Sequence, residues 1–245
     1  MTIENPTNTE TKSPATAEVA TAAPPAKRPI KCQPLDMKRF TPHRIRMQML
    51  VGRGLMENWH RIFNHLEVTG RENIPAEGSL VIVGNHISHQ DPPLLTVATH
   101  RHMVFMAKRE LWYFRPLGMW IDFLGALPLT REKPELSTLR FMKQVMKTGW
   151  SLGMFIEGTR CKVPNSMGRP HLGAAYFAKV TKSNILPVGI IGSNEKTGKA
   201  HIKLRIGKPI PYSDDLEKTT WETMDALAEL TGFTILERKL AEKAE

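Results

Sequence analysis

From about residue 41 to 66, apolar side chains recur at three- and four-residue steps: Ile45, Met49, Leu55, Met56, Trp59, Ile62, Phe63 and Leu66, set among Arg44, Arg46, Arg53 and Arg61. That period is helical, so the segment is expected to be amphipathic and basic, weakened where Gly52 and Gly54 fall. Two placements are open to it. Its apolar face can pack on the core of the same domain, or rest in a lipid interface with the arginines at anionic head groups. The two are compatible.

Beyond it the pattern changes to short apolar runs of β character at residues 80–83, 103–106, 154–156, 185–191 and 201–206, the last alternating through Ile202, Leu204 and Ile206. Helical stripes lie between some of them. Leu136, Leu139, Met142, Val145 and Met146 form one, residues 173–182 another, and Trp221, Met224, Leu227 and Leu230 a third within a closing region from about residue 216. Strands alternating with helices predict an α/β fold, a largely parallel sheet flanked by helices, preceded by the N-terminal amphipathic helical segment. The expected organisation is a disordered tail over 1–35, the basic helical segment over 36–66, an α/β domain over 67–212 and a C-terminal helical region over 213–245. The tail is assigned because its Ala, Thr and Pro cannot bury enough to offset ordering.

Charge sharpens this picture. The formal net charge is +10, and residues 66–212 carry twenty basic against ten acidic side chains, whereas residues 213–245 carry four against nine. A basic body suits an anionic membrane, a phosphorylated substrate or nucleic acid, and a solvated basic face suits the same numbers. With three tyrosines and no RNA- or DNA-binding motif, stacking platforms are not expected, so nucleic acid is set aside. The two cysteines, Cys32 and Cys161, form neither a disulfide framework nor a zinc motif, and no metal site is expected. The most apolar stretch, residues 116–129, is interrupted by Gly118, Asp122 and Gly125, so no spanning helix is expected. Glu4, Glu10 and Glu18 argue against an organellar transit peptide, and a cytoplasmic location is the expectation.

Candidate chemistry gathers after the β runs. Asn85, His86, Ser88, His89 and Asp91 follow the first one, where α/β sheets commonly hold ligands. A carboxylate five residues beyond a histidine can orient the imidazole as a general base. Equally, Asp91 before Pro92 and Pro93 fits a helix N-cap. His89 is the less suited base, because two residues give little room to fold back on Asp91. Two further clusters are Gly125 to Arg131 and the turn Glu157-Gly158-Thr159-Arg160, in which glycine permits a tight turn and arginine can bind phosphate bidentately. The fourth is Leu186-Pro187-Val188.

In this order the four segments resemble the glycerolipid acyltransferase family that includes the 1-acylglycerol-3-phosphate acyltransferases, over roughly residues 66–212. The resemblance implies that His86 is the base and Asp91 its orienting carboxylate. It also implies that Arg160 and Arg131 receive an acceptor phosphate, that Glu157, Gly158 and Thr159 belong to the same substrate-binding turn, and that Lys108 is a further phosphate ligand. No cofactor is implied, since the acyl donor, acyl-CoA or acyl carrier protein, is an activated substrate. The implied acceptor is a lysophospholipid, with 1-acylglycerol-3-phosphate giving phosphatidic acid, and the implied partner is membrane lipid, met peripherally on the inner face. The pattern departs in two places: Ile156 stands where the family commonly has proline, and His171-Leu172-Gly173 where it often has Lys-x-Gly. The second departure leaves room for another acceptor, such as glycerol-3-phosphate or a lyso-ornithine lipid. An inactive membrane-binding relative is the remaining alternative.

Overall fold

The computed structural model describes residues 36–129, 136–196 and 198–241. The basic N-terminal segment forms helix α1 (Pro42–Met49), a π-helical stretch over Leu50–Met56 that contains both glycines, and helix α2 (Glu57–Phe63). The helix ends earlier than its apolar period predicts. Asn64 turns to extended backbone, the N–H of His65 donates to the Ala200 carbonyl at 2.9 Å, and Leu66 lies within strand β1 (His65–Thr69). Ladder hydrogen bonds to a distant strand override the helical spacing there, so the boundary of the α/β unit falls at residue 64 rather than 66.

The chain then alternates β2 (Val81–Gly84), α3 (Asp91–Thr99), β3 (Met103–Lys108), α4 (Arg115–Phe123), β4 (Ala126–Leu129), α5 (Leu136–Lys147) and β5 (Ser151–Phe155). It continues through the two-residue β6 (Ser166–Met167), α6 (Gly173–Thr181), β7 (Ile185–Ile191), β8 (His201–Ile206), α7 (Leu216–Thr231), β9 (Thr234–Ile235) and α8 (Leu236–Ala241). Seven strands form one sheet in the order β1-β8-β7-β2-β5-β3-β4. All neighbours are parallel except β7 and β8, so the sheet is mostly parallel with a reversed pair at one edge.

The central strands are buried on both faces, which is why they read as continuous apolar runs. On one face Val81, Val83, Leu152 and Ile185 pack with Met142, Val145, Ala178, Met224 and Leu227 of α5, α6 and α7. On the other, Ile82, Leu186, Val188, Ile190, Ile202 and Leu204 pack with Leu94, Leu95, Val97 and Ala98 of α3. Successive residues of β2 thus serve opposite cores, as a period of two requires.

The N-terminal segment is pinned to this body by polar contacts. The buried Gln48 side chain accepts from the Met103 N–H at 2.9 Å and donates to the Met103 and Leu124 carbonyls. Glu57 pairs with Arg61, Arg71 and His100 at 2.9, 3.3 and 2.8 Å. Large apolar side chains of the segment also face outward, with Leu50, Leu55, Trp59, Ile62 and Phe63 exposed. Among the described residues no helix is long and apolar enough to cross a membrane.

Candidate active site

The end of β2 and the turn into α3 carry the site. Asn85 is buried, and its amide donates to the Ile190 carbonyl at 2.8 Å and accepts from the Ile190 N–H at 2.7 Å, tying the ends of β2 and β7 together. The next residue, His86, places Nδ1 2.7 Å from Oδ2 of Asp91. Asp91 is fully buried and is the first residue of α3, not its cap. Pro92 and Pro93 have no N–H to offer it. Its carboxylate instead reaches back, with Oδ2 accepting from the Ile87 and Ser88 N–H groups, each at 2.7 Å. Oδ1 accepts from the Ser193 hydroxyl at 2.6 Å.

Four donors therefore converge on one buried carboxylate, and it acts purely as an acceptor. Nδ1 of His86 is thus the donor in that contact, and in a neutral imidazole so held the lone pair is on Nε2. The imidazole is partly exposed, with 18% of its side-chain surface accessible, and stacks on Phe155 at a centroid distance of 4.1 Å. His89 is exposed and has no hydrogen bond to Asp91 among those described. Partial burial, followed by the charges of Arg160 and His86, pushes its pKa down, against the pull of Asp91. Arg160 is thus close enough to His89 and the His86 turn for its charge to be felt there.

The turn after β5 supplies the other wall. Glu157 is buried, accepting from the His86 N–H at 3.0 Å with one carboxylate oxygen and from the Gly168 N–H at 2.7 Å with the other. Burial pushes its pKa up, and those two N–H donors only partly offset this. Glu157 accordingly braces the backbone of His86, with both of its oxygens engaged by backbone N–H groups. Gly158 has φ +61°, a conformation that favours glycine, and a Cβ added there would stand 3.1 Å from Cδ2 of His171, a tight approach. Thr159 and Arg160 follow, both exposed. Lys108 ends β3, also exposed, at the same end of the sheet. Arg131 lies outside the described residues.

Ser193 escapes a reading of the sequence because it stands far along the chain from Asp91. The available signal was a Gly-Ser turn directly after the longest apolar run. Gly192, at φ +76°, is fixed there because any side chain would collide with the His201 carbonyl.

A buried carboxylate that orients a histidine at the carboxyl ends of parallel strands is an arrangement suited to acid–base chemistry. Residues 65–191 match the Acyltransferase family model, and the chain belongs to this family. It is 29% identical over 181 residues to the 1-acyl-sn-glycerol-3-phosphate acyltransferase of Bacillus subtilis (strain 168), covering 71% of this chain and 89% of that one. With the enzyme of the same description from Streptococcus pneumoniae (strain ATCC BAA-255 / R6) it shares 33% identity over 153 residues, 60% of this chain and 56% of the other. The crystal structure of the 1-acyl-sn-glycerophosphate acyltransferase PlsC from Thermotoga maritima shares the fold, with a TM-score of 0.61 at 23% identity over 80% of this chain and 85% of that one.

Proposed function

We propose that the protein transfers a fatty acyl group from a thioester, acyl-CoA or acyl carrier protein, to the free hydroxyl of 1-acylglycerol-3-phosphate, giving phosphatidic acid. The observation that carries the reading is the 2.7 Å contact of His86 Nδ1 with an Asp91 carboxylate saturated by donors. With Nδ1–H held, Nε2 takes the acceptor's hydroxyl proton as its oxygen attacks the thioester carbonyl. The C–O bond forms, the tetrahedral intermediate collapses, the C–S bond breaks, and the imidazolium returns its proton to the leaving thiolate. Asp91 stabilises that imidazolium without being protonated itself.

Arg160 is the principal phosphate ligand in this reading, held beyond the Gly158 turn with Thr159, while Lys108 and Arg131 add positive charge. Glu157 serves the same site from behind, through the His86 backbone. The exposed Trp59, Ile62 and Phe63 beside Arg61 support peripheral attachment to a membrane surface, because aromatic and aliphatic side chains flanked by a cation suit the lipid interface.

The test is thiol release from acyl-CoA or acyl carrier protein with lysophosphatidic acid, with glycerol-3-phosphate and lyso-ornithine lipid as competing acceptors. Turnover that requires lysophosphatidic acid and is lost in His86→Ala is the expected outcome. Turnover undiminished in His86→Ala overturns the mechanism.

A further inference from the structure

Exposed apolar side chains gather at a second place, remote in sequence from the N-terminal helices. Tyr113, Phe114, Leu117, Met119 and Trp120 are 45%, 66%, 36%, 69% and 46% exposed, all on α4 or the turn before it. An ordinary surface helix turns its apolar stripe inward. Here the inward position is Gly118, buried so closely that an added Cβ would stand 3.2 Å from Cα of Trp112, while Phe114, Leu117 and Trp120 form an outward row at three-residue steps.

The topology brings both apolar surfaces to the catalytic end of the molecule. β3 finishes at Lys108 in parallel with β2 and β5, so the turn into α4 starts where His86 stands. On the other side β8 is antiparallel to β7, and β1 is parallel to β8. Both therefore begin where β7 finishes, with Lys203 beside Ile191 and His65 beside His201. Helix α2 enters β1 through Asn64, which carries Ile62 and Phe63 to that end as well. In the strand order the α2 surface stands at the β1 edge, the α4 surface at the β3–β4 edge, and the catalytic strands between them.

We infer that α4 is a second membrane contact, whose Phe114–Leu117–Trp120 row enters the interfacial layer of an anionic bilayer so that the catalytic end faces lipid from both edges of the sheet. The inference rests on the proposed lipid acceptor, which has to leave a bilayer to reach His86. Exposed Lys108, at the end of β3, and Arg115, next to Phe114 in the chain, supply the complement to anionic head groups, and tryptophan in an exposed apolar row is characteristic of interfacial elements.

Flotation with phosphatidylglycerol–phosphatidylcholine vesicles tests it, comparing the wild type with a variant combining Phe114→Ser, Leu117→Ser and Trp120→Ser. Circular dichroism checks its fold. Partitioning weakened by about tenfold or more is expected. Thiol release should be unchanged with lysophosphatidic acid kept below its micelle concentration and reduced with the acceptor embedded in vesicles. Tryptophan emission quenched by brominated lipid, with the quenching diminished in Trp120→Phe, supports the same contact without the triple variant. Unchanged partitioning and quenching overturn it, as does a wild-type dimer that the triple variant converts to monomer with vesicle binding intact. If vesicle binding depends on α4 but the wild type releases no thiol with any acceptor, the contact stands and the proposed reaction falls.

Discussion

Among the described residues two histidine–carboxylate pairs are of nearly equal length, His86 with Asp91 at 2.7 Å and His100 with Glu57 at 2.8 Å, and their surroundings differ. Around Glu57 the other partners are the guanidinium groups of Arg61 and Arg71. Burial alone would raise the Glu57 pKa, but His100, Arg61 and Arg71 outweigh it and bring it down to about 2. The cluster holds α2 against the helix terminus of α3, away from the catalytic end. Around Asp91 the other partners are two backbone N–H groups and a hydroxyl, all neutral, so its charge remains available to an imidazolium. A short contact between histidine and carboxylate therefore does not by itself mark a catalytic pair. The charge of the remaining partners, and the end of the sheet on which the pair sits, distinguish the two.

The strongest test of that contrast exchanges losses between the pairs. His86→Ala and Asp91→Asn should each lower kcat by about 100-fold or more with little change in melting temperature for His86→Ala, whereas His100→Ala should leave kcat within about threefold. Steady-state kinetics and thermal melts on the same preparations decide it. Next in size, Ser193→Ala removes one donor to a buried charge, worth about 1.5–3 kcal/mol, and should reduce kcat by about tenfold or more with KM unchanged.

The two flanking glutamates sharpen the comparison through pH. Glu57 has a depressed pKa, so its stabilisation is complete above the usual carboxylate range and is lost as pH falls from about 4.5 through about 2. Glu57→Gln should lower stability at neutral pH by about 2 kcal/mol and flatten the acid limb of a melting-temperature profile. Glu157 has the opposite sign. Its pKa is raised by burial, so its contribution is largest at low pH and declines as pH rises through the folded-state value. Glu157→Gln should remove that decline and lower kcat only by about threefold to tenfold, by loosening the His86 backbone, with the KM for the phosphorylated acceptor unchanged.

Much of this was legible in the sequence, for identifiable reasons. Residues 185–191 and 201–206 match β7 and β8 in full, the first because a short run rich in β-branched residues suits a buried strand, the second because strict alternation admits only a period of two. The His86–Asp91 contact was legible because five residues across a strand-to-helix turn bring the groups together locally. Strand β1 was hidden, since Leu66 also satisfies the helical spacing of the residues before it. Helix α4 was hidden by Gly118, the residue that lets it lie close to Trp112. The family resemblance places Glu157 in the substrate-binding turn with Gly158 and Thr159, and gives no indication of its backbone partners. The Glu157 oxygens face the His86 and Gly168 amides, a fact set by a loop that returns 11 residues later and by no local pattern.

The amide of Asn85 joins two strand ends that the chain synthesises far apart, and Ser193 reaches Asp91 across a similar span. The histidine and its carboxylate can meet in a short peptide, yet neither the strand-end clasp nor the fourth donor exists until β7 has been made and inserted beside β2. A growing chain that has emerged only as far as α6 holds His86 and Asp91 but lacks Ile190 and Ser193, two of the partners that fix their turn.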